Sequence, residues 1–388
     1  MIMEESVAIA LLFAAVIGLF WMLYTFKRTT TNRRINYRCA EVNKALLELQ
    51  NDSTNRWINA LVTGGSGMLG REIVSHLLKD GGYKVHSLDL FIPEAKKRNS
   101  EVCSYIQADI TNYDDLCTAM RGMDVVFHTA AILPTVMGAT DADFERVIVQ
   151  GTKNVITVCR ECKVKRLIYT STADVVISKG EVGVDNTDEY HPFPKEPLNA
   201  YVSTKGRAET AVLAANGGDG LVTGALRPGG ILEMVVYRKL KYLMYIGDRE
   251  RILPLVACGD LAKAHLLLDK ILANTDSSSA AAGKAFNLSC NIPEKELDNL
   301  VAFEKDNGQM ARKLPMPVLI LLTYLNVIGH WLTGIAPVNS VLTLMALDIL
   351  KLKFHSYSSI RAQAELGWKP TPWKSVVKKL IKETKTEK

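Results

Sequence analysis

The chain has 388 residues, 48% of them hydrophobic and 23% charged, with a formal net charge of +6 and seven cysteines. It is long enough for one large core or a core plus a smaller lobe, and a charge this mild gives no indication of nucleic-acid binding. An odd cysteine count without paired Cys-x-x-Cys motifs at zinc spacing fits a reducing compartment, and no metal site is expected.

The first informative element is Val7 to Phe26, twenty residues without a charge. As a helix it is long enough to cross a hydrocarbon core of ~30 Å. Glu4 and Glu5 precede it and Lys27, Arg28, Arg33, Arg34 and Arg38 follow it, which places the rest of the chain in the cytosol by the positive-inside rule. A cleaved signal peptide or a buried helix is the competing reading. A signal peptide has a shorter apolar run, basic residues before it and a small-residue cleavage site after it. A polar linker carrying an amphipathic helix, Tyr37 to Gln50, leads to Trp57.

Trp57 to Thr63 reads as a strand, Gly64, Gly67 and Gly70 follow at three-residue spacing in TGGSGMLG, and Arg71 to Lys79 has helical periodicity through Ile73, Val74, Leu77 and Leu78. A strand, a tight glycine turn and a helix in that order let a pyrophosphate approach backbone amides at the positive end of the helix. Asp89 ends a second strand, Tyr83 to Leu90. A carboxylate there accepts hydrogen bonds from ribose hydroxyls and repels a 2′-phosphate, which favours NAD over NADP. Asp109, after a third strand, has the position of an acid that contacts adenine, with a solvated strand-end aspartate as the alternative. Asp124 to Thr129 reads as a strand, Val149 to Arg160 as a helix and Arg166 to Thr170 as a buried strand. The expected architecture is α/β, a doubly wound parallel sheet of Rossmann type.

Thr170-Ser171-Thr172 closes that strand, and about thirty residues later Tyr201-x-x-x-Lys205 opens a helical run, Leu198 to Asn216. A tyrosine acts as a base near neutral pH only when a cation lowers its pKa, and i,i+4 spacing puts Lys205 on its face. The hydroxyl of Thr172 or Ser171 would hold the oxygen being oxidised. Tyr237-x-x-x-Lys241 repeats the spacing but follows no hydroxyl-rich strand end. Leu221 to Leu226 adds a strand closed by Arg227-Pro228-Gly229-Gly230. The Cys159-x-x-Cys162 pair on a predicted helix reads as two buried small residues rather than a redox site, and His128 and His265 as packing or hydrogen-bonding residues. A second apolar stretch, Met316 to Ala336, is interrupted by Asn326, His330 and two threonines. It suits an interfacial or substrate-facing helix, with a buried core helix as the alternative.

In TGGSGMLG, Asp89, FHTAA from Phe127, GTKNV from Gly151, YTST from Tyr169, YVSTK, LRPGG from Leu226, GDLAKAH from Gly259 and AELGWKP from Ala364, the chain resembles the extended short-chain dehydrogenases. Within them it is similar to the 3β-hydroxysteroid dehydrogenase/isomerase family, which includes the decarboxylating sterol-4α-carboxylate dehydrogenases. The resemblance implies Tyr201 as acid/base, Lys205 as its activator and a ribose contact, and Thr172, immediately before an alanine, as the oxygen-binding hydroxyl, with Ser171 as the fallback. It implies a cofactor set of Gly64, Gly67, Met68, Gly70, Asp89, Asp109, Ile110, Ala130, Lys205 and Pro228. Two departures stand out: Ile148 where the family usually has asparagine, and Ile231-Leu232-Glu233-Met234 where it has Ile-Tyr-Gly-Pro, with a shortened segment from there to Gly259.

The expected organisation is an anchor over 1–30, a linker over 31–56, an NAD-binding Rossmann domain over 57–232, and a smaller C-terminal substrate lobe over 233–388 with a membrane-associated helix at 316–336. The expected protein is a single-pass endoplasmic-reticulum enzyme with a cytosolic catalytic domain. It oxidises the 3β-hydroxyl of a sterol or steroid with NAD, followed by isomerisation or C4 decarboxylation. Its partners are a lipophilic substrate and the membrane, and a homodimer is compatible with the sequence. Basic residues near Lys27 to Arg38 and Lys374 to Lys388 suggest an anionic lipid surface, with solvated faces as the alternative. A reductase or sugar epimerase on the same fold, and an NAD-binding scaffold without turnover, are the other readings.

Overall fold

The computed structural model describes residues 57–92, 103–136, 138–236, 244–246, 251–274, 280–304, 312–334, 342–352 and 354–386. The anchor expected over 1–30, the linker over 31–56 and the second copy at Tyr237-x-x-x-Lys241 lie outside these residues.

The first half of the sheet comes from β1 (Ile58–Thr63), α1 (Met68–Asp80), β2 (Tyr83–Asp89), β3 (Cys103–Gln107), α2 (Tyr113–Met120) and β4 (Val125–His128). A short helix α3 (Asp141–Phe144), a π-helical turn (Glu145–Gln150) and α4 (Gly151–Glu161) then lead to β5 (Arg166–Thr170). The small strand β6 (Gly183–Thr187), α5 (Ala200–Ala214) and β7 (Val222–Pro228) follow. Beyond them lie short strands β8 (Gly230–Ile231), β9 (Met244–Ile246), β10 (Ile252–Leu253) and β11 (Leu255–Val256), then α6 (Cys258–Ala273) and β12 (Ala285–Leu288). The C-terminal part comprises β13 (Ile292–Pro293), α7 (Glu294–Glu304), β14 (Arg312–Leu314), α8 (Met316–Thr333), α9 (Leu344–Leu350), β15 (Phe354–Tyr357), α10 (Ile360–Leu366) and α11 (Trp373–Thr386).

Seven strands form one sheet in the order β3-β2-β1-β4-β5-β7-β12, all parallel. The chain reverses its direction of travel across the sheet between β1 and β4. In open α/β sheets the crevice beyond the carboxyl ends of strands at such a switch point holds the ligand. Near-continuous apolar strands are what a sheet covered on both faces requires. On one face Ala60, Val62 and Phe127 meet Ile73 and Leu77 of α1 and Leu261 and Leu268 of α6. On the other, Leu61, Val126 and Leu167 meet Leu116 of α2, Val155 and Val158 of α4 and Val212 of α5. Each of these valine, leucine, isoleucine and phenylalanine side chains contributes about 1.5–3 kcal/mol on burial. A separate, smaller cluster joins Leu232, Val236, Leu253, Leu255 and Ile292 to Leu297 and Val301 of α7 and Val377, Leu380 and Ile381 of α11.

Three elements differ from expectation in an informative way. The helix expected over Val149 to Arg160 starts earlier and passes through a π turn in which Ile148 is buried. The helix expected from Leu198 starts at Ala200, because Asn199 is extended and its side chain accepts from Val202 N at 3.1 Å, the hydrogen bond of an N-cap. The apolar stretch from Met316 is a helix that ends at Thr333, where Gly334 takes a left-handed φ of 65°. It is not the buried core helix of the alternative reading: Leu319, Thr323 and Asn326 face inward, while Leu321, Tyr324, Ile328, Trp331 and Leu332 are exposed, Trp331 by 81%.

Candidate active site

The glycine turn sits at the carboxyl end of β1, in the crevice. Gly64 has a φ of 72°, and a Cβ on it would lie 2.9 Å from the backbone N and Cα of Ala130. A Cβ on Gly65, a position the spacing argument passed over, would come within 2.2 Å of Ser87 Oγ. On Gly70 it would come within 2.1 Å of Gly64 O, which explains how α1 can start so close to the turn. Gly67 is the N-cap and Met68 the first residue of α1, with no side-chain cap and no acid in the first turn. The amides at this helix end are therefore open to an anion. Asp89 Oδ2 accepts from Ser66 N at 2.9 Å, which brings the carboxylate of β2 against the same turn. The Oγ atoms of Ser66 and Ser87 are buried without a partner there. Farther along, Asp109 accepts from Thr111 N at 2.8 Å, and Ile110 packs so tightly on Gly151 that a Cβ there would meet its Cδ1 at 2.8 Å. Pro228 is buried at the end of β7. Open amides, a turn with no room for a Cβ at Gly64, Gly65 or Gly70, and a carboxylate held against that turn fit a dinucleotide.

The second group lies at the end of β5. Thr172 is extended and its Oγ1 accepts from Asp174 N at 3.3 Å, capping the 3-10 turn Ala173–Val176. Ser171 N donates to Leu226 O at 2.7 Å, and its Oγ is buried without a partner. Tyr201 is the second residue of α5, half-buried, with its ring edge-on to Phe144 at 6.2 Å. Lys205 follows one turn later with 3% exposure; its Nζ donates to Thr170 O and lies 4.3 Å from the centroid of the Tyr169 ring. Burial lowers the Lys205 pKa to about 7, opposed in part by the negative charge of Glu209. Burial also raises the Tyr201 pKa, and Asp174 adds to that effect. The direction for Tyr201 is opposite to what i,i+4 spacing alone implies: burial and the Asp174 charge set it, while Lys205 Nζ is turned to Thr170 O and the Tyr169 ring.

His128, which the sequence left as a packing or hydrogen-bonding residue, and Glu209 act on Lys205 or feel its charge. His128 bridges Thr63 Oγ1 at 2.7 Å and Thr152 Oγ1 at 3.0 Å, and burial followed by the charge of Lys205 pushes its pKa down to about 3. Glu209 is fully buried in a bidentate pair with Arg227, at 2.6 Å to Nη2. Cys159 is fully buried, its Sγ 3.9 Å from Met120 Sδ, and both it and Cys162 are free thiols. The departure at Glu233 has a visible structural use. Both its carboxylate oxygens accept from Cys258 N, at 3.0 and 2.9 Å, and so cap α6, which its own N-cap residue leaves uncapped.

A doubly wound sheet with a glycine cradle, an acid at the end of β2 and a hydroxyl, tyrosine and lysine beside the switch point defines a dinucleotide-dependent oxidoreductase of the extended short-chain type. Residues 61–318 match the 3-beta hydroxysteroid dehydrogenase/isomerase family. The chain belongs to that family and is an NAD-dependent oxidoreductase. It is 31% identical over 326 residues to the decarboxylating sterol-4-alpha-carboxylate 3-dehydrogenase of Mus musculus, covering 80% of this chain and 86% of that protein. It is 29% identical over 360 residues to 3beta-hydroxysteroid-dehydrogenase/decarboxylase isoform 1 of Arabidopsis thaliana, covering 84% of this chain and 79% of that one. Among solved structures, MoeE5 in complex with UDP-glucuronic acid and NAD has the same fold, with a TM-score of 0.63 at 20% identity over 85% of this chain and 100% of that one.

Proposed function

We propose that this protein oxidises the 3β-hydroxyl of a sterol that carries a 4α-carboxylate, releasing the 3-ketone and carbon dioxide. What carries the reading is the buried Lys205, one helical turn from Tyr201, whose Nζ donates to Thr170 O at the strand end that runs on into Ser171 and Thr172. Both relatives named above, matched over at least four-fifths of this chain, bear decarboxylating names, which favours decarboxylation over isomerisation.

The glycine cradle, Met68, Ala130 and Pro228 would hold NAD, Asp89 and Lys205 its ribose hydroxyls, and Asp109 and Ile110 the adenine side. When bound, NAD⁺ supplies the hydride acceptor and a positive charge. Thr172 holds the carbinol oxygen, with Ser171 beside it. Tyr201, helped by the charges of Lys205 and the nicotinamide, takes the hydroxyl proton as the C3–H bond breaks. The product is a β-keto acid, whose carboxylate leaves as carbon dioxide while the electron pair passes into an enolate. Tyr201 returns its proton to that enolate, so no further residue is required for the carbon–carbon step.

We further propose that residues 57–232 bind the cofactor, that 233–388 build the substrate side, and that the enzyme is anchored in the endoplasmic reticulum membrane by residues 1–30. Among the described residues one helix, α8, is long and apolar enough to cross a membrane. With Thr323 and Asn326 packed inward and Asn326 Nδ2 bound to Leu342 O at 2.9 Å, it is better placed to lie along a bilayer than to span it. Its surroundings reach the site: Thr343 Oγ1 donates to Pro134 O at 2.7 Å in the loop after β4, and Asn199, the cap of α5, reaches Met345 O of α9. A sterol taken from the bilayer along α8 would meet that loop first. Incubation of the purified protein with NAD⁺ and a panel of 3β-hydroxysterols, with and without a 4-carboxyl group, tests the reading by product mass. Turnover confined to sterols without the carboxyl group would replace decarboxylation by isomerisation.

A further inference from the structure

His265 lies on α6, fully buried behind β5, and has no part in the chemistry above. Its Nδ1 is 2.8 Å from Leu261 O, and a carbonyl only accepts, so Nδ1 carries the proton. Burial lowers the ring's pKa to about 4, so the ring is neutral at physiological pH and Nε2 is an acceptor. The Thr170 hydroxyl, 2.7 Å from Nε2, must then be the donor. Thr170 is the last residue of β5 and its carbonyl receives Lys205 Nζ. Ile148, buried where the resemblance leads one to expect asparagine, offers Lys205 no hydrogen bond. The Thr170 carbonyl is therefore the polar group that the fold aims at this ammonium, and its side chain is fixed from behind by His265.

We propose that His265, through the Thr170 hydroxyl, is a positioning residue for Lys205 and so sets the pH at which Tyr201 becomes a base. The claim rests on the reading of Tyr201 and Lys205 given above. The sheet holds the Thr170–Ser171 peptide through Ser171 N on Leu226 O, and His265 holds the Thr170 side chain from behind; without the second hold the strand end shifts, the ammonium loses part of its support and the phenolate forms at higher pH. The other charged and titratable groups facing the pair are accounted for. Glu209, one turn beyond Lys205, is committed to Arg227 of β7. His128 of β4 is held neutral between two threonines, and Tyr169 of β5 presents its ring face. Asp174, on the 3-10 turn, accepts from Tyr357 at 2.7 Å.

The test is the pH profile of kcat/KM with NAD⁺ and the sterol oxidised best in the panel, for Thr170→Val, His265→Leu, His265→Gln and the double variant Thr170→Val/His265→Leu. Thr170→Val deletes one hydroxyl and keeps the carbonyl, so it is the variant least disturbing to the fold. Thr170→Val and His265→Leu are expected to move the acid limb up by about one pH unit, an approximately tenfold loss on the limb that closes at low pH. The double variant should match the singles. His265→Gln, whose amide oxygen can accept from Thr170, should recover the limb. NAD affinity measured by titration should stay within about twofold of wild type, which separates positioning from misfolding. A uniformly lowered profile with an unmoved limb, additive losses in the double variant, or no recovery in His265→Gln overturns the proposal. Tyr201→Phe run alongside keeps the two claims apart: full turnover in that variant would instead overturn the reading of Tyr201 as the base.

Discussion

Gly70→Ala is the sharpest perturbation of the cofactor cradle that a single methyl group can make. The new Cβ would lie 2.1 Å from Gly64 O, 2.8 Å from Gly64 C and 2.7 Å from Gly65 Cα, all backbone atoms with no flexible end to swing aside. Either α1 withdraws or the turn opens, at an overpacking cost of about 1–3 kcal/mol. Because the same amides are meant to face the pyrophosphate, much of that cost should fall on binding, an approximately tenfold to hundredfold loss of NAD affinity at 1.4 kcal/mol per decade. Gly67→Ala is the graded comparison: its Cβ meets only Gly64 O, at 3.1 Å, and affinity should fall only a few-fold. Gly122→Ala is the control, since its φ of 76° strains any side chain but nothing lies within 4 Å of the new Cβ. It should lower stability by roughly 1 kcal/mol without changing NAD affinity. Calorimetric titration of NAD beside denaturant unfolding measures both quantities. If Gly70→Ala binds NAD like wild type at wild-type stability, the cradle is not the binding site.

Asp89→Ala should weaken NAD more than NADP, narrowing the preference, because the carboxylate both accepts ribose hydrogen bonds and repels a 2′-phosphate; wild-type protein that already prefers NADP in titration would contradict the role. Lys205→Met should lose turnover yet gain stability. Burial lowers the lysine's pKa from 10.5 to about 7, so between those values the unfolded chain holds a proton that the folded chain lacks, and wild-type stability rises with pH across that window. The variant should exceed wild type by roughly 3 kcal/mol at pH 7, a margin that shrinks toward pH 10; unfolding curves with equal pH slopes would refute this. Trp331→Glu with Leu321→Asp changes exposed positions of α8, so folding should be unaffected. In a protein lacking residues 1–30, the pair should reduce retention on phospholipid vesicles at least tenfold; unchanged retention would remove α8 from the membrane surface.

What could be read in the sequence was local. The turn from Thr63 to Gly70, the strands and the helix with Tyr201 and Lys205 are encoded within a few residues of themselves, and the parallel, doubly wound sheet followed from their order. What depends on distant partners was hidden. The link between Thr170 and His265 joins residues 95 positions apart, so neither residue announces the other. The GDLAKAH run did contain the signal, since a histidine four residues after Leu261 on a helix can donate back to that carbonyl. The sign of the Tyr201 shift depends on how much solvent the fold removes, which spacing does not encode. The π turn around Ile148 has no residue signature, and Glu233 reads as a departure until its role in capping α6 is visible. For α8 the apolar composition suited a core helix as well as an interfacial one, and only the exposure of Tyr324, Ile328 and Trp331 separates the two.

The central claim is that hydride leaves C3 of a sterol for NAD with Tyr201 as the base. The most direct measurement uses a 4α-carboxysterol deuterated at the 3α position, with mass analysis of the dinucleotide and capture of released carbon dioxide. The account predicts one deuterium in the reduced NAD per 3-ketone formed, an equal amount of carbon dioxide, and a loss of both by roughly 10²–10⁴-fold in Tyr201→Phe. Reduced NAD without deuterium, or an undiminished rate in Tyr201→Phe, would contradict it.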